Sequence, residues 1–187
     1  MILLAEDRED DIILIQRAFK EGGIRFPIMV VRDGEQAIQY LSGMGRYSNR
    51  ELYPIPTLFL LDLTLPGTDG FEVLRWIRTR AELHDLPVVV LTQSDKIRDA
   101  NQAYRLGAYS FIVKTEDFQD AVAFAQSMAD YWMKLKSDSA AKRPPASWPP
   151  KENLTSLTQI SKEPAIFPRT IRPQQGEPLD LSDKAVE

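Results

Sequence analysis

The chain has 187 residues, 43% of them hydrophobic and 27% charged, with a net charge of −4 and no cysteine. That length allows one full domain with something extra. Disulfides, thiolate chemistry and cysteine-ligated metals are excluded, and the acidic balance argues against a nucleic-acid surface.

No apolar run is long enough to span a bilayer, and Met1–Ala5 runs straight into acids instead of building a signal sequence, so a cytoplasmic protein is expected. Met1–Ala5 reads as a short strand, followed at once by Glu6, Asp7, Glu9, Asp10 and Asp11. A helix then runs through about Glu21, with Ile12, Ile15, Ala18 and Phe19 on its apolar face. Acids in a first helical turn suit the macrodipole, so Asp10 and Asp11 read as capping residues. Glu6 and Asp7 lie earlier, at the carboxyl end of the strand.

Gly22-Gly23 ends this helix and Pro27–Val31 supplies a second strand. Asp33-Gly34 turns into a helix carrying Ala37, Ile38 and Leu41, and residues 43–56 form a long polar loop with Pro54 and Pro56. Thr57–Leu61 is uncharged and ends on Asp62, reading as a strand buried on both faces of a parallel sheet. Pro66, Gly67 and Gly70 break it and lead into a helical pattern at Phe71–Ala81. Leu86–Thr92 is a fourth apolar strand, Ser94-Asp95 caps a helix ending near Leu106-Gly107, Ser110–Val113 is a fifth strand ending on Lys114, and a last helix fills Glu116–Lys136.

Five strands alternating with helices make a doubly wound α/β domain, a flavodoxin-like parallel sheet with order 2-1-3-4-5. The composition changes after residue 136. Eight of the 13 prolines fall between Pro144 and Pro178 without sustained periodicity, so residues 1–136 are expected to form the domain and 137–187 a disordered tail.

The expected topology brings Glu6, Asp7, Asp62, Thr92 and Lys114 to one end of the sheet, where open α/β sheets collect their chemistry. Unpaired carboxylates ~4 Å apart repel by about 4 kcal/mol at an effective dielectric of ~20. Such a cluster favours a divalent cation, and oxygen-only ligands favour Mg²⁺ or Mn²⁺. With the cation bound, Asp62 can attack a phosphoryl group while Lys114 and Thr92 hold its oxygens.

These residues, with Leu61-Asp62-Leu63, Leu65-Pro66 and Asp69-Gly70, resemble the receiver domain of two-component response regulators over about residues 1–133. Ile13-Leu14-Ile15-Gln16, the long loop before the third strand, Val88–Ser94 and Tyr131-Trp132 are similar to single-domain regulators partnered with phytochrome histidine kinases. The resemblance implies that Glu6, Asp7, Asp62 and the Thr64 carbonyl hold the metal, and that a histidine kinase phosphorylates Asp62. It implies further that Thr92 and Lys114 bind the phosphoryl group, that Thr92 and Phe111 form a switch, and that output is by protein–protein contact. Thr64 and Ser94 fall at the family's two rate-tuning positions. Two residues depart from the pattern: Thr115 follows Lys114 where proline is common, and Gln93 stands where alanine is frequent.

The rival readings are weaker. A haloacid-dehalogenase-type phosphatase places its nucleophile after the first strand and a second acid two residues on, where this chain has Thr64. A nucleotide binder needs a glycine-rich first turn, whereas Glu6–Glu9 is acidic and glycine-free. A receiver-like adaptor that does not use phosphorylation is the alternative that keeps the fold. His84, the sole histidine, reads as solvated, Trp76 as core, and Arg78 and Arg80 as a solvated face. On the last helix, Phe118, Val122, Ala125, Ala129 and Trp132 have the spacing for a sheet. A second stripe of Phe124, Met128, Tyr131 and Leu135 remains to be covered, and a homodimer through this helix is expected to cover it.

Overall fold

A computed structural model describes residues 1–137, with side-chain surroundings given to residue 129. The expected tail, 138–187, lies outside the described residues. The elements are β1 (Ile2–Ala5), α1 (Glu9–Glu21), β2 (Ile28–Val31), α2 (Gly34–Ser42), β3 (Leu58–Leu61), α3 (Gly70–Arg78), β4 (Val88–Thr92), α4 (Ile97–Arg105), β5 (Ser110–Val113) and α5 (Phe118–Ser137). All strand pairs are parallel, and the order is β2-β1-β3-β4-β5, as the alternation predicts.

Strand periodicity of two explains why the runs are apolar throughout. Leu3, Ala5, Phe59, Leu61, Val88 and Val90 face one core, shared with α2 and α3. Ile2, Leu4, Leu58, Leu60, Val89 and Leu91 face the other, shared with α1 and α5. Every residue of β1, β3 and β4 is buried, which leaves only the strand ends for polar chemistry.

Several elements differ from the sequence expectation. The third helix stops at Arg78, and Ala81–Leu83 is a separate 3₁₀ turn. Arg78 is not on a solvated face. Its guanidinium donates to the carbonyls of Leu83, His84, Leu86 and Gly107, the last at 2.7 Å, and so ties α3 to the turn between α4 and β5. Burial pushes its pKa below the usual arginine value. Trp76 is half-buried against the first core with Arg80 over its ring, whereas His84 is solvated as expected. The loop after α2 is held by Arg50, whose guanidinium donates to the carbonyls of Tyr40 and Leu41. Tyr53 meets both Tyr40 and Tyr47 edge-on, and those two rings are tilted against each other.

The largest correction concerns α5. Phe124 and Met128 are 5% and 1% exposed and pack with Ala125 on the sheet. Ala121, Val122 and Phe118 pack instead on Ala18 and Leu14 of α1. Both stripes are therefore covered within the chain over this stretch, one by the sheet and one by the neighbouring helix. The close fit of the two helices is visible at Gly22, where a Cβ would lie 2.7 Å from that of Ala125. The argument for a homodimer from Phe124 and Met128 accordingly falls; the side chains of Tyr131 and Leu135 lie outside the described residues.

Candidate functional site

The site is built by extending the strand ladders one residue past the strands. The Glu6 N–H donates to the Val31 carbonyl at 3.0 Å, the Asp62 N–H to Ala5 at 3.0 Å, and the Lys114 N–H to Thr92 at 2.8 Å. The backbones beneath these side chains are thus fixed by the sheet itself. The turn after Asp62 is held from below by Gly70, because a Cβ there would lie 2.3 Å from the Asp62 carbonyl oxygen. Asp69 then caps α3 in a reciprocal capping box with Glu72.

Lys114 is the hub. Its ammonium lies 2.6 Å from Asp62 Oδ2, 2.5 Å from Glu6 Oε2 and 3.0 Å from Asp11 Oδ2, with the lysine side chain 9% exposed. The contact to Glu6 is a close ion pair whose angles do not make a directed hydrogen bond. Burial alone would push the lysine down, but the charges of Asp62 and Glu6 and the hydrogen bond to Asp62 carry it above its ordinary pKa, so it is ammonium at neutral pH. Glu6 is fully buried, and that burial, with the nearby Asp62 charge, outweighs Lys114 and raises its carboxyl above the usual range.

Asp62, 3% exposed, accepts the Thr64 N–H on Oδ1 at 3.1 Å while Oδ2 faces the ammonium. Asp7 stands beside it at the solvent side. One carboxylate oxygen each of Glu6, Asp7 and Asp62 lies within 4.8 Å of the others, all of them hard oxygen donors. The spacing and donor type fit a single small divalent cation. The structure thus brings Glu6, Asp7, Asp62 and Lys114 together.

Thr92 is fully buried, and its Oγ1 accepts the Ser94 N–H at 3.2 Å. Phe111 pairs with Val90, two residues before Thr92, and is half-buried against the first core, which places it on the same sheet face as Thr92. Thr115 Oγ1 accepts the Asp117 N–H at 3.0 Å ahead of α5, a turn role that proline's ring would not supply. Gln93 is exposed.

Asp11 is the site residue that the sequence reading misses. The reading assigns it to helix capping, yet the structure turns it towards Lys114. The signal was its place in the first turn of a helix that starts at the carboxyl edge of β1. A second miss is the start of α4. Lys96, not Ser94 or Asp95, occupies the N-cap position, and it has no side-chain cap.

A doubly wound sheet whose carboxyl edge carries three acids, a buried threonine and an ion-paired lysine defines a signalling receiver, not a nucleotide-binding sheet. Residues 2–126 match the response regulator receiver domain, and the chain belongs to that family. It is 36% identical over 141 residues to the response regulator Rcp1 of Synechocystis sp., covering 75% of this chain and 94% of Rcp1. It is 38% identical over 136 residues to a probable methanogenesis regulatory protein, FilR2, of Methanothrix harundinacea, covering 71% of this chain and 83% of FilR2. The fold is similar to that of the phosphorylated cyanobacterial phytochrome response regulator RcpA, with a TM-score of 0.64 at 36% identity over 71% of this chain and 92% of that one. It is also similar to the Mn²⁺-bound form of Rcp1, with a TM-score of 0.63 at 36% identity over 71% of this chain and 94% of that one. The chain is a two-component receiver domain similar to phytochrome-partnered regulators.

Proposed function

We propose that Asp62 is a phosphoacceptor that takes a phosphoryl group from a histidine kinase, of the phytochrome type, in a Mg²⁺- or Mn²⁺-dependent reaction. The observation that carries this reading is the Asp62 carboxylate, nearly buried at the sheet edge and paired at 2.6 Å with an ammonium that also meets Glu6 and Asp11. A carboxylate oxygen of Asp62 forms a bond to phosphorus as the phosphorus–nitrogen bond of the donor's phosphohistidine breaks. The electron pair leaves on the imidazole nitrogen, and the product is an acyl phosphate.

Lys114 stays protonated throughout and pairs with the phosphoryl oxygens in place of part of its present carboxylate set. Glu6, Asp7, Asp62 and the Thr64 carbonyl would hold the cation, which supplies charge neutralisation at the transferring group. The Thr92 hydroxyl donates to a phosphoryl oxygen, and Phe111 follows into the space it leaves.

Residues 1–136 carry this function. Output is by protein contact. Pairing of two copies through α5 is part of the same reading.

The test is transfer from a panel of phosphorylated histidine kinases, phytochrome-type kinases included, to the wild type and Asp62→Asn. Transfer to the wild type alone is expected. Equal transfer to the variant would overturn the assignment. No transfer from any kinase, with no labelling by acetyl phosphate, would leave a phosphorylation-independent adaptor.

A further inference from the structure

Asp11 is the third residue of α1. An acid at that place in a helix commonly reaches back to the N–H of the residue before the helix, closing a capping box. Here that N–H, of Arg8, donates instead to Glu6 Oε1 at 3.3 Å. Asp11 turns the other way, and its Oδ2 accepts from the Lys114 ammonium at 3.0 Å, across 103 positions of sequence. The Arg8 guanidinium lies 3.9 Å from the same oxygen, a half-exposed pair that contributes little. Asp11 and Lys114 also share the wall of a cavity lined chiefly by Leu14, Ile15, Leu91, Ile112 and Phe124. A lysine stem is flexible and its ammonium has three rotatable donors, so apolar surroundings of this kind do not aim it. Its carboxylate partners do.

Among the described residues, three carboxylates stand within ion-pair distance of the ammonium. Two of them have other work in the proposed chemistry, since Asp62 is the acceptor and Glu6 would hold the cation with it. Asp11 lies outside the trio of Glu6, Asp7 and Asp62 whose oxygens gather within 4.8 Å. It is the partner that belongs to the lysine alone. We infer that Asp11 is a positioning residue for phosphoryl transfer, holding the Lys114 ammonium at the acceptor from the α1 side while Glu6 and Asp62 are engaged elsewhere. The inference rests on the phosphoacceptor reading of Asp62. As the acyl phosphate forms, the Asp62 carboxylate gives up its charge to the new bond and loosens its hold on the lysine. With one donor kept on Asp11, the other two stay aimed at the acceptor.

Acetyl phosphate labelling of the full chain, at saturating Mg²⁺ and donor, tests this. Asp11→Ala should lower the maximal rate about tenfold, the equivalent of one charge-assisted hydrogen bond. Mg²⁺ affinity by calorimetry and the donor concentration at half-maximal rate should not change. Asp11→Asn keeps an oxygen for the ammonium and should lose only about threefold. A carboxylate serving only as negative charge would behave otherwise. Its removal would weaken Mg²⁺ binding and favour the anionic donor, and asparagine would be no better than alanine. The ammonium itself gives a second readout, by NMR of the lysine side-chain nitrogens. With Mg²⁺ and beryllium fluoride as the phosphoryl probe, exchange of the Lys114 ammonium protons with water should rise about tenfold in Asp11→Ala and about threefold in Asp11→Asn. In EDTA the rise should be smaller, because Glu6 and Asp62 still hold the lysine.

A wild-type maximal rate in Asp11→Ala, or an Asp11→Asn no better than Asp11→Ala, would overturn the inference. If Asp11→Ala does not fold, Asp11→Asn decides, and unchanged exchange at Lys114 with the probe present overturns it. Absence of labelling in the wild type defeats the phosphoacceptor reading and this inference with it. Normal wild-type labelling that Asp11→Ala does not slow defeats only the positioning role.

Discussion

At the scale of single residues, the site balances charges that oppose one another until something else arrives. Lys114 neutralises only part of the charge of Glu6, Asp62 and Asp11. Replacing it with alanine leaves buried carboxylates unpaired, which should cost about 3 kcal/mol in the absence of metal. Urea unfolding with EDTA and with excess Mg²⁺ checks this, because the cation should return part of the lost stability by binding the folded state. Glu6 makes a second prediction, with a sign fixed by its raised carboxyl. A group whose folded pKa lies above its unfolded value favours the fold below the unfolded value, and that contribution is lost as pH rises through the folded one. Glu6→Gln, neutral throughout, should therefore gain stability relative to the wild type as pH rises from about 4 to about 7. A relative loss over that range would show that the Lys114 pair outweighs the burial.

At the scale of elements, the turn between β3 and α3 separates two effects that sequence alone cannot part. Asp69→Ala removes a cap at the helix start and should cost about 1 kcal/mol with little change in labelling of Asp62. Gly70→Ala forces a Cβ against the Asp62 carbonyl and the Leu63 backbone, so it should cost about 1–3 kcal/mol and also displace the acceptor. Labelling rates at matched stability distinguish the two, and a Gly70→Ala protein that labels normally would show that the turn does not position Asp62. The elements were legible where periodicity was strong. The all-apolar runs of β1, β3 and β4 foretold a two-sided sheet, and the acids after β1 and β3 lie together at its carboxyl edge. Legibility failed where a side chain answers to a partner distant in sequence. Asp11 looks like a capping acid until β5 brings Lys114 beside it. Arg78 looks solvated until the turns after α3 and α4 converge on it. Ser94 looks like a cap until Thr92 and Asp99 claim it.

At the scale of the whole molecule, the two faces of the sheet are closed by the chain's own helices, α5 being seated on both the sheet and α1. Phe124→Asp should therefore unfold or severely destabilise the protein, by several kcal/mol, because the charge enters the core. Thermal denaturation checks this. The identity of the chain as a receiver rests on its fold and family, and the claim at the centre of its function is chemical: that Asp62, held by Lys114 among Glu6, Asp7 and Asp11, becomes an acyl phosphate. Borohydride reduction converts an aspartyl phosphate to homoserine, so peptide mass spectrometry after treatment with acetyl phosphate reads the acceptor directly. Homoserine at position 62, formed with Mg²⁺ and lost with EDTA, is the predicted result. Homoserine at another aspartate, or none in the wild type with Mg²⁺ present, would contradict it.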